Sequence, residues 1–217
     1  MESLRIADVQ LFEGVANEDA DVLARELQVR TRAYDKGERL LRAGQRVSRV
    51  GIVLAGRVLM EGPGDAGDVT VMGWASPGDS FGEAYAMLGD RPLMVDATAV
   101  EPSVVAWLSV DHLWRQALEQ GDSAAAQVLR NLMRLTAERN VRLSQRALHT
   151  APRTVRGRLR SLFATLPTDS EGWVTLPVTQ GDLANYLSVN RSVLSSELAA
   201  MVRDGEVERD GKRYRIG

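Results

Sequence analysis

Four polar side chains near the carboxyl end of the chain have types and spacing suited to hydrogen bonding with another molecule: Arg191, Ser192, Ser195 and Ser196. Their spacing places them on one face of a helix, together with Ala199. The opposite, buried face is predicted to consist of Val193, Leu194, Leu198, Met201 and Val202. A helix enters the major groove of DNA only if its outer side chains are short enough to approach base edges or long enough to reach them. The pattern therefore favours a DNA-contacting face, and the alternative is an antiparallel helix pair whose serine face is solvated.

The stretch from Val178 to Arg203 is predicted to hold this face in a helix-turn-helix. Thr179 and Asp182 form an N-cap pattern that starts a first helix, over residues 180–187. The next three residues are too few for anything but a tight turn between two helices. Asn190 then caps a second helix, which runs from residue 191 to about residue 203 and carries the polar face.

A β-hairpin is predicted directly after the second helix. Asp210-Gly211 separates two short alternating segments, which is typical of a two-residue hairpin loop. Cationic side chains follow the loop at Lys212, Arg213 and Arg215. A basic hairpin beside a helix-turn-helix is a winged helix, whose wing can contact phosphate. The candidate DNA-contacting residues are Thr179, Gln180, Asn190, Arg191, Ser192, Ser195, Ser196, Lys212 and Arg213.

Composition limits the function classes that remain. The chain has 217 residues, 44% of them hydrophobic, which is enough for two modest domains. No run approaches ~18 apolar residues and the amino terminus lacks a secretory pattern, so we expect a cytoplasmic protein with no membrane span. The absence of cysteine excludes disulfides, thiolate zinc sites and cysteine-ligated iron–sulfur clusters. Residues 151–217 hold ten Arg and Lys against eight Asp and Glu, so the carboxyl-terminal part is the more basic one.

No catalytic triad, paired-carboxylate motif or metal-ligand cluster is recognisable, so we do not expect an enzyme. A ligand-binding regulatory module without DNA binding stays open as an alternative. It would explain the middle of the chain but not the helix-turn-helix and its wing.

An all-β barrel or roll is predicted between Val29 and Leu108, where short apolar segments are separated by turns that contain glycine. Residues 62–68 are predicted to be an exposed hairpin loop. The densest part of the roll is residues 77–88, where a strand ends in glycine and an acid before a short helix. Free backbone amides there can hold an anion, and Glu83 is placed to accept hydrogen bonds from sugar hydroxyls. The alternative is a tight turn that closes the roll.

A long helix over residues 122–149 is predicted to join the roll to the carboxyl-terminal part. Intervals of four and three residues, which are coiled-coil spacing, define a seam along it. The predicted dimer interface is Leu129, Met133, Thr136, Asn140 and Leu143, and Ala147 continues the seam. A helix packed on its own domain is the alternative. The predicted domains are therefore residues 1–121, the central helix 122–149 and the winged helix 150–217.

A hinge is predicted at the end of the long helix, because Pro152 forces the preceding residue out of the helical region. A further helix then runs over residues 153–166. Its outward arginines are Arg153, Arg156, Arg158 and Arg160. A solvated face is the default expectation for them, and contacts with phosphates or with the other domain are the alternatives.

The order of several motifs resembles that of the CRP/FNR family of bacterial transcription factors, named after the cAMP receptor protein and the fumarate-nitrate reduction regulator. The motifs are LFEG, YDKGERLLRAGQ, GIVLAGRVLMEG, WASPGDSFGEAYAML and LPVTQGDLANYLSVNRSVLSSEL. The resemblance covers nearly the full length. It implies an α+β protein with an amino-terminal β-roll (jelly roll) of cyclic-nucleotide-binding type, a dimerising helix and a winged helix-turn-helix. It also implies a homodimer on a two-fold symmetric site in double-stranded DNA, with RNA polymerase as a partner.

The chain departs from the family pattern at the effector site. Family members that bind cAMP have an arginine followed by Ser or Thr, which hold the cyclic phosphate. Here Arg91 is followed by Pro92, which supplies neither a hydroxyl nor an amide donor. Each missing charged hydrogen bond costs a phosphate roughly 1.5 to 3 kcal/mol, which argues against cAMP. The resemblance carries over to Gly82, Glu83, Ala84, Arg91, Pro92, Arg139 and Asn140 as the effector-binding candidates.

A haem-responsive or other small-molecule-responsive member of the family stays open. Haem needs an axial ligand, and the only histidines are His112 and His149. A methionine or a backbone amine is the alternative ligand. His112 reads as a solvated residue in the first turn of a helix. His149 lies near the end of the long helix, where a protonated imidazole is favoured by the helix dipole. Neither position indicates a prepared haem site, so the sequence leaves the effector unidentified.

Overall fold

Two antiparallel sheets form the amino-terminal β-roll of the computed structural model, which describes residues 3–63, 69–119, 121, 123–176 and 179–216. The strands are β1 (Arg30–Tyr34), β2 (Arg39–Leu41), β3 (Arg49–Ala55), β4 (Val58–Pro63), β5 (Val69–Ala75), β6 (Ser80–Phe81), β7 (Asp96–Ala99) and β8 (Ser103–Ser109). One sheet has the order β1-β8-β3-β6 and the other the order β2-β7-β4-β5. This arrangement confirms the predicted roll.

Three predicted features involve residues outside the described part of the chain. They are Val178 at the start of the predicted helix-turn-helix stretch, residues 64–68 of the predicted hairpin loop, and Asp122 at the predicted start of the long helix.

The roll buries its apolar residues between the two sheets. Ile52 and Val105 of the central strands are fully buried, and Phe81 meets Trp107 edge to face at 5.5 Å between ring centroids. Four helices belong to or leave this part: α1 (Asn17–Glu26), α2 (Glu83–Leu88), α3 (Val110–Glu119) and α4 (Ala124–Thr150). None of the described helices combines the length and the apolar character needed to cross a bilayer.

The long helix α4 runs through the division of the chain into two compact units, residues 1–137 and residues 138–217. In the first unit, α4 packs on the roll through Ala125, Val128 and Leu132, which are buried. The buried amide of Asn131 donates to the backbone oxygens of Leu11 and Glu13, at 3.0 and 2.8 Å. One face of α4 is therefore fixed within its own chain.

The second unit contains the winged helix. Its elements are α5 (Val155–Phe163), β9 (Trp173–Thr175), α6 (Gln180–Tyr186), α7 (Arg191–Arg203), β10 (Val207–Asp210) and β11 (Arg213–Ile216), and the strands form a sheet in the order β10-β11-β9. Its core joins Leu159 and Phe163 to Leu194 and Leu198, and Phe163 stacks on Tyr214 at 5.4 Å. The structure thus confirms the α+β fold class with its roll, long helix and winged helix-turn-helix.

Two local predictions for α7 and the hairpin were wrong. Val193 and Val202 are 49% and 38% exposed, because the buried stripe is centred on Leu194, Leu198 and Met201 and the two valines lie roughly 70 to 110° away from it at 100° per residue. The hairpin loop is Gly211-Lys212 and not Asp210-Gly211, since Asp210 still pairs with Arg213. Glycine at the first loop position takes the positive φ, 58°, that such turns require.

Candidate nucleic-acid interface

The first helix of the helix-turn-helix begins with a closed capping box. The amide of Asp182 donates to the Thr179 hydroxyl at 3.1 Å, and the amide of Thr179 donates to the Asp182 carboxylate at 3.3 Å. The Thr179 hydroxyl also donates to that carboxylate at 2.6 Å, and these bonds lower the pKa of Asp182. The cap uses the hydroxyl proton of Thr179 and one of its oxygen lone pairs. A phosphate could be contacted only after the hydroxyl proton is released from this cap. Gln180, the first residue of α6, is half-buried.

Two arginines satisfy the carbonyl groups at the carboxyl end of α6. Arg146 of α4 donates to the backbone oxygens of Tyr186 and Asn185 at 3.0 and 3.2 Å. Arg158 of α5 donates to those of Leu187 and Ser188 at 2.8 and 3.1 Å. The Asn185 oxygen also accepts from the Ser188 amide at 3.2 Å. Carbonyl groups at a helix end lack the usual helical donors, and positive charge there also suits the helix dipole.

The other two arginines of α5 contact carboxylates of later residues. Arg156 contacts carboxylates of Glu197, Asp204 and Glu206, at 2.5, 2.8 and 2.8 Å. Arg160 contacts Glu206 at 2.8 Å. The expectation of a solvated arginine face was therefore wrong for Arg156 and Arg158, which are half-buried and contact later residues of the unit. Arg160 pairs with Glu206 but its side chain stays 62% exposed. Arg153 is exposed.

Asn190 caps the second helix, as the sequence predicts. The Asn190 side-chain oxygen accepts from the Ser192 amide at 2.9 Å and from the Ser192 hydroxyl at 2.8 Å. Asn190 therefore acts as the N-cap through its side-chain oxygen, and the residue as a whole is exposed. Ser192 keeps only acceptor capacity for a further partner.

The predicted polar face of α7 is open to solvent. Arg191, Ser192, Ser195 and Ser196 are all exposed, while Leu194 and Leu198 of the same helix are fully buried. The face combines hydroxyls, which both donate and accept, with one guanidinium at the amino end of the helix. This arrangement can hydrogen-bond to base edges and phosphates, because nothing among the described residues covers it.

The cationic side chains of the wing differ in whether they are paired with carboxylates of the protein. Lys212 lies in the exposed hairpin loop. Arg213 contacts Asp169 at 2.6 Å and Glu171 at 3.6 Å, and Arg215 pairs with Glu208 across the hairpin. Of the two predicted wing contacts, Lys212 is therefore available to phosphate and Arg213 is engaged within the protein.

The predicted effector residues belong to three stretches of the chain. Gly82, with φ of 77°, caps α2, and Glu83, the first residue of that helix, is only 2% exposed, with Ala84 exposed beside it. Arg91 and Pro92 lie in an exposed loop, and Arg91 contacts the carboxylate of Asp90 at 3.9 Å. Arg139 and Asn140 lie in the part of α4 that belongs to the second unit.

The predicted dimer seam lies on a face of α4 that the first unit leaves largely open. Met133 and Leu143 are 51% and 57% exposed, and Asn140 is exposed as well. Leu129 and Thr136 are half-buried, and the Thr136 hydroxyl donates to the Leu132 carbonyl at 2.8 Å. Large apolar side chains in water on one helix face are what a helix seam needs.

The sequence places His149 at the end of the long helix but does not predict its burial. His149 is 4% exposed, and its ring nitrogens lie 2.8 Å from the Tyr186 hydroxyl and 2.8 Å from the Thr165 hydroxyl. Burial lowers its pKa, so the expected protonated imidazole at the helix end was wrong. Its partners are distant in sequence, and no local pattern marks them.

Two family models match the chain. A cyclic nucleotide-binding domain matches residues 31–120, and a Crp-like helix-turn-helix domain matches residues 157–217. The transcriptional activator protein FnrL of Cereibacter sphaeroides is 23% identical over 209 residues, which cover 91% of this chain and 81% of that protein.

Solved structures share the fold. The catabolite activator protein of Thermus thermophilus matches with a TM-score of 0.54 and 21% identity, over 96% of this chain and 93% of that one. The c-di-GMP responsive global regulator CLP of Xanthomonas campestris matches with a TM-score of 0.56 and 20% identity, over 91% of this chain and 99% of that one.

Proposed function

Since the chain belongs to the CRP/FNR family of bacterial transcription regulators, we propose that it acts as a homodimer on a two-fold symmetric DNA site, under control of an effector. The family assignment makes the chain a transcription regulator with a helix-turn-helix DNA-binding domain and a domain of cyclic-nucleotide-binding type. Duplex DNA and RNA polymerase are its proposed partners, and the cytoplasm its proposed location.

The exposed polar face of α7 is the observation that carries the proposal. Its three serines lie away from the buried stripe, and Arg191 is exposed at the amino end of the helix. Short hydroxyl side chains let the helix backbone approach the floor of the major groove, and an arginine at the amino end can reach a guanine edge or a phosphate. A face built only for solubility has no need of side chains this short.

The exposed seam of α4 supports the homodimer. Met133 and Leu143 lose contact with water only if another surface covers them, and their spacing fits a second copy of the same helix. A two-fold dimer then presents two copies of α7, and matching half-sites have to lie about one helical turn of DNA, or a multiple of it, apart.

For the effector, we propose a small molecule other than cAMP at the β6–α2 turn. Buried Glu83 follows a glycine cap there, while the exposed Arg91-Pro92 loop lacks the hydroxyl that a cyclic phosphate needs. Haem is disfavoured at His149, because both ring nitrogens already have hydroxyl partners. Arg139 and Asn140 are retained as proposed effector contacts.

Selection of bound sequences from a random duplex pool tests the DNA-binding proposal. We expect the full-length protein to enrich an inverted repeat, and its affinity for the selected duplex to fall steeply between about 50 and 200 mM salt. Arg191→Ala should weaken binding by roughly 1 to 3 kcal/mol if the arginine reads a guanine. The matched control is Arg203→Ala, which removes an exposed arginine from the other end of α7. Unaltered gel retardation by Arg191→Ala, or a pool without enrichment, would count against the proposal.

The absorbance spectrum of the purified protein tests the effector proposal. A Soret band would show that haem is bound and would contradict the argument against it. Release of cAMP on denaturation would contradict the argument from Pro92.

A further inference from the structure

Arg213 of the wing is held on three sides by the segment that precedes β9 and by the start of that strand. Its guanidinium contacts Asp169 at 2.6 Å and Glu171 at 3.6 Å, and its central carbon lies 5.1 Å from the ring centroid of Trp173. Two carboxylates and an aromatic face thus meet one cation. Because this guanidinium is already paired with carboxylates, a phosphate has to compete with them for it.

The carboxylate of Asp169 is prepared for this contact by the backbone. One of its oxygens accepts from the amides of Glu171 and Trp173, at 2.9 Å each. The other oxygen accepts from Arg213. The backbone bonds and the arginine lower the pKa of Asp169, so the carboxylate stays charged at neutral pH. The turn around residues 169–172 therefore fixes a negative charge against the wing.

The other wing cations differ in a way that makes the restraint on Arg213 measurable. Arg209 donates to the Gly211 carbonyl at 3.1 Å and lies over Tyr214, and Arg215 pairs with Glu208. Lys212 is exposed in the hairpin loop and has no ion pair with any described residue. Lys212 is thus the wing cation that the protein itself leaves to a partner.

We infer that Asp169 and Glu171 act as an internal substitute for DNA phosphate, which holds Arg213 and leaves Lys212 as the free cation of the described wing. This rests on the proposed function, since it concerns how strongly the wing engages a duplex. The two acids weaken backbone binding and leave the base-reading face of α7 unaltered. They therefore raise the share of binding that depends on sequence, because phosphate contacts carry no sequence information.

Salt dependence of duplex binding provides the test, because each phosphate neutralised on B-DNA contributes about 0.9 to the slope of log K against log salt. We expect Asp169→Asn to steepen the slope by about that amount, on both the selected duplex and a random-sequence duplex. Glu171→Gln should act in the same direction and more weakly, since its contact is longer. Lys212→Ala should make the slope shallower by about 0.9, and Arg213→Ala should alter it little.

Asp210→Asn is the matched control for net charge. It removes one carboxylate from the same hairpin, where Asp210 lies opposite Arg213 and raises its pKa through charge alone, without an ion pair. It therefore separates the effect of a nearby charge from the effect of a direct contact. Asn at position 169 keeps an oxygen for the two backbone amides, and thermal unfolding of each variant checks that the turn is intact. Glu171 is 70% exposed as a side chain, so Glu171→Gln tests the idea without touching the turn.

The outcomes separate this inference from the proposed function. If the wild-type protein binds duplex without salt dependence, the proposed DNA binding fails and the inference fails with it. If the wild type binds as expected while Asp169→Asn and Glu171→Gln show its slope, or only the change seen for Asp210→Asn, the inference alone is overturned.

Discussion

Ser188 adopts a left-handed backbone conformation, φ 54°, in the turn between α6 and α7. A side chain in that region costs roughly 1 to 2 kcal/mol, part of which glycine regains at the expense of a more flexible unfolded chain. We expect Ser188→Gly to raise the free energy of unfolding by roughly 0.5 to 1 kcal/mol in urea titrations followed by circular dichroism. Ser188→Ala keeps the strain and is the control, so a glycine variant no more stable than the alanine variant would contradict the prediction.

Side chains whose partners lie close in sequence could be predicted, and those with distant partners could not. Thr179 with Asp182 and Asn190 with Ser192 are pairs that any helix start of this kind forms. His149 instead meets Thr165 and Tyr186, which are 16 and 37 residues away. Its environment depends on how α4, α5 and α6 pack, and periodicity within one helix carries no information about that packing.

At the scale of elements, His149 connects the end of α4 to α6 and to a residue just after α5. The Thr165 hydroxyl donates to the Leu162 carbonyl, so it accepts from His149 Nε2–H and the Tyr186 hydroxyl donates to Nδ1. The neutral ring satisfies both neighbours. Protonation places a second N–H against a hydroxyl that was donating, and the Arg146 guanidinium lies 5.9 Å from the centroid of the Tyr186 ring. The contact between these helices therefore depends on an uncharged histidine.

We expect the free energy of unfolding to fall as the pH falls because of this residue. The folded pKa of His149 is lowered by burial, and the unfolded chain takes up a proton near the ordinary value of about 6.5. The stabilisation is thus complete above about pH 6.5 and is lost as the pH falls toward the folded pKa. The difference between the urea midpoints at pH 7.5 and pH 5.5 should be smaller for His149→Gln than for the wild type. The matched control His112→Gln removes the half-buried second histidine, and an equal loss of pH dependence there would exclude His149 as the cause.

Helix boundaries in the second unit followed from local signals, whereas the roles of the arginines depended on tertiary packing. The caps place α6 and α7 where the sequence predicts them. Arg156 and Arg158 read as surface residues in sequence because arginine is usually solvated. They became structural because acids and free carbonyls of later elements converge on α5. The wing loop lies one residue later than predicted for a related reason, since Asp210 pairs with Arg213 in the sheet.

At the scale of the whole molecule, two-fold DNA recognition requires that two copies of α7 be joined. The motif order in the sequence predicted the roll, the long helix and the winged helix, because each has a distinct period and turn chemistry. It could not establish the partner of the α4 seam, since an exposed apolar stripe has the same sequence pattern as one packed on its own domain. The exposure of Met133 and Leu143 favours a stripe that is available to a second chain over one packed on its own domain.

Replacing Leu143 with glutamate tests the joining of two chains directly. In a parallel two-fold seam the same residue meets its own copy, so Leu143→Glu places two carboxylates in an apolar contact, and like charges there destabilise the pair. We expect the variant to sediment as a monomer and to bind the selected inverted repeat roughly tenfold or more weakly, a loss of about 1.4 kcal/mol or more.

Gln145→Glu is the matched control for the added charge. It places the same carboxylate at an exposed position about 200° around α4 from Leu143, and the variant should remain dimeric. Since Leu143 is exposed in the single chain, its own replacement should leave the helical content unaltered. A Leu143→Glu protein that sediments as a dimer and retains wild-type affinity would show that α4 is not the seam, because a buried like-charge pair cannot be neutral to the association it interrupts.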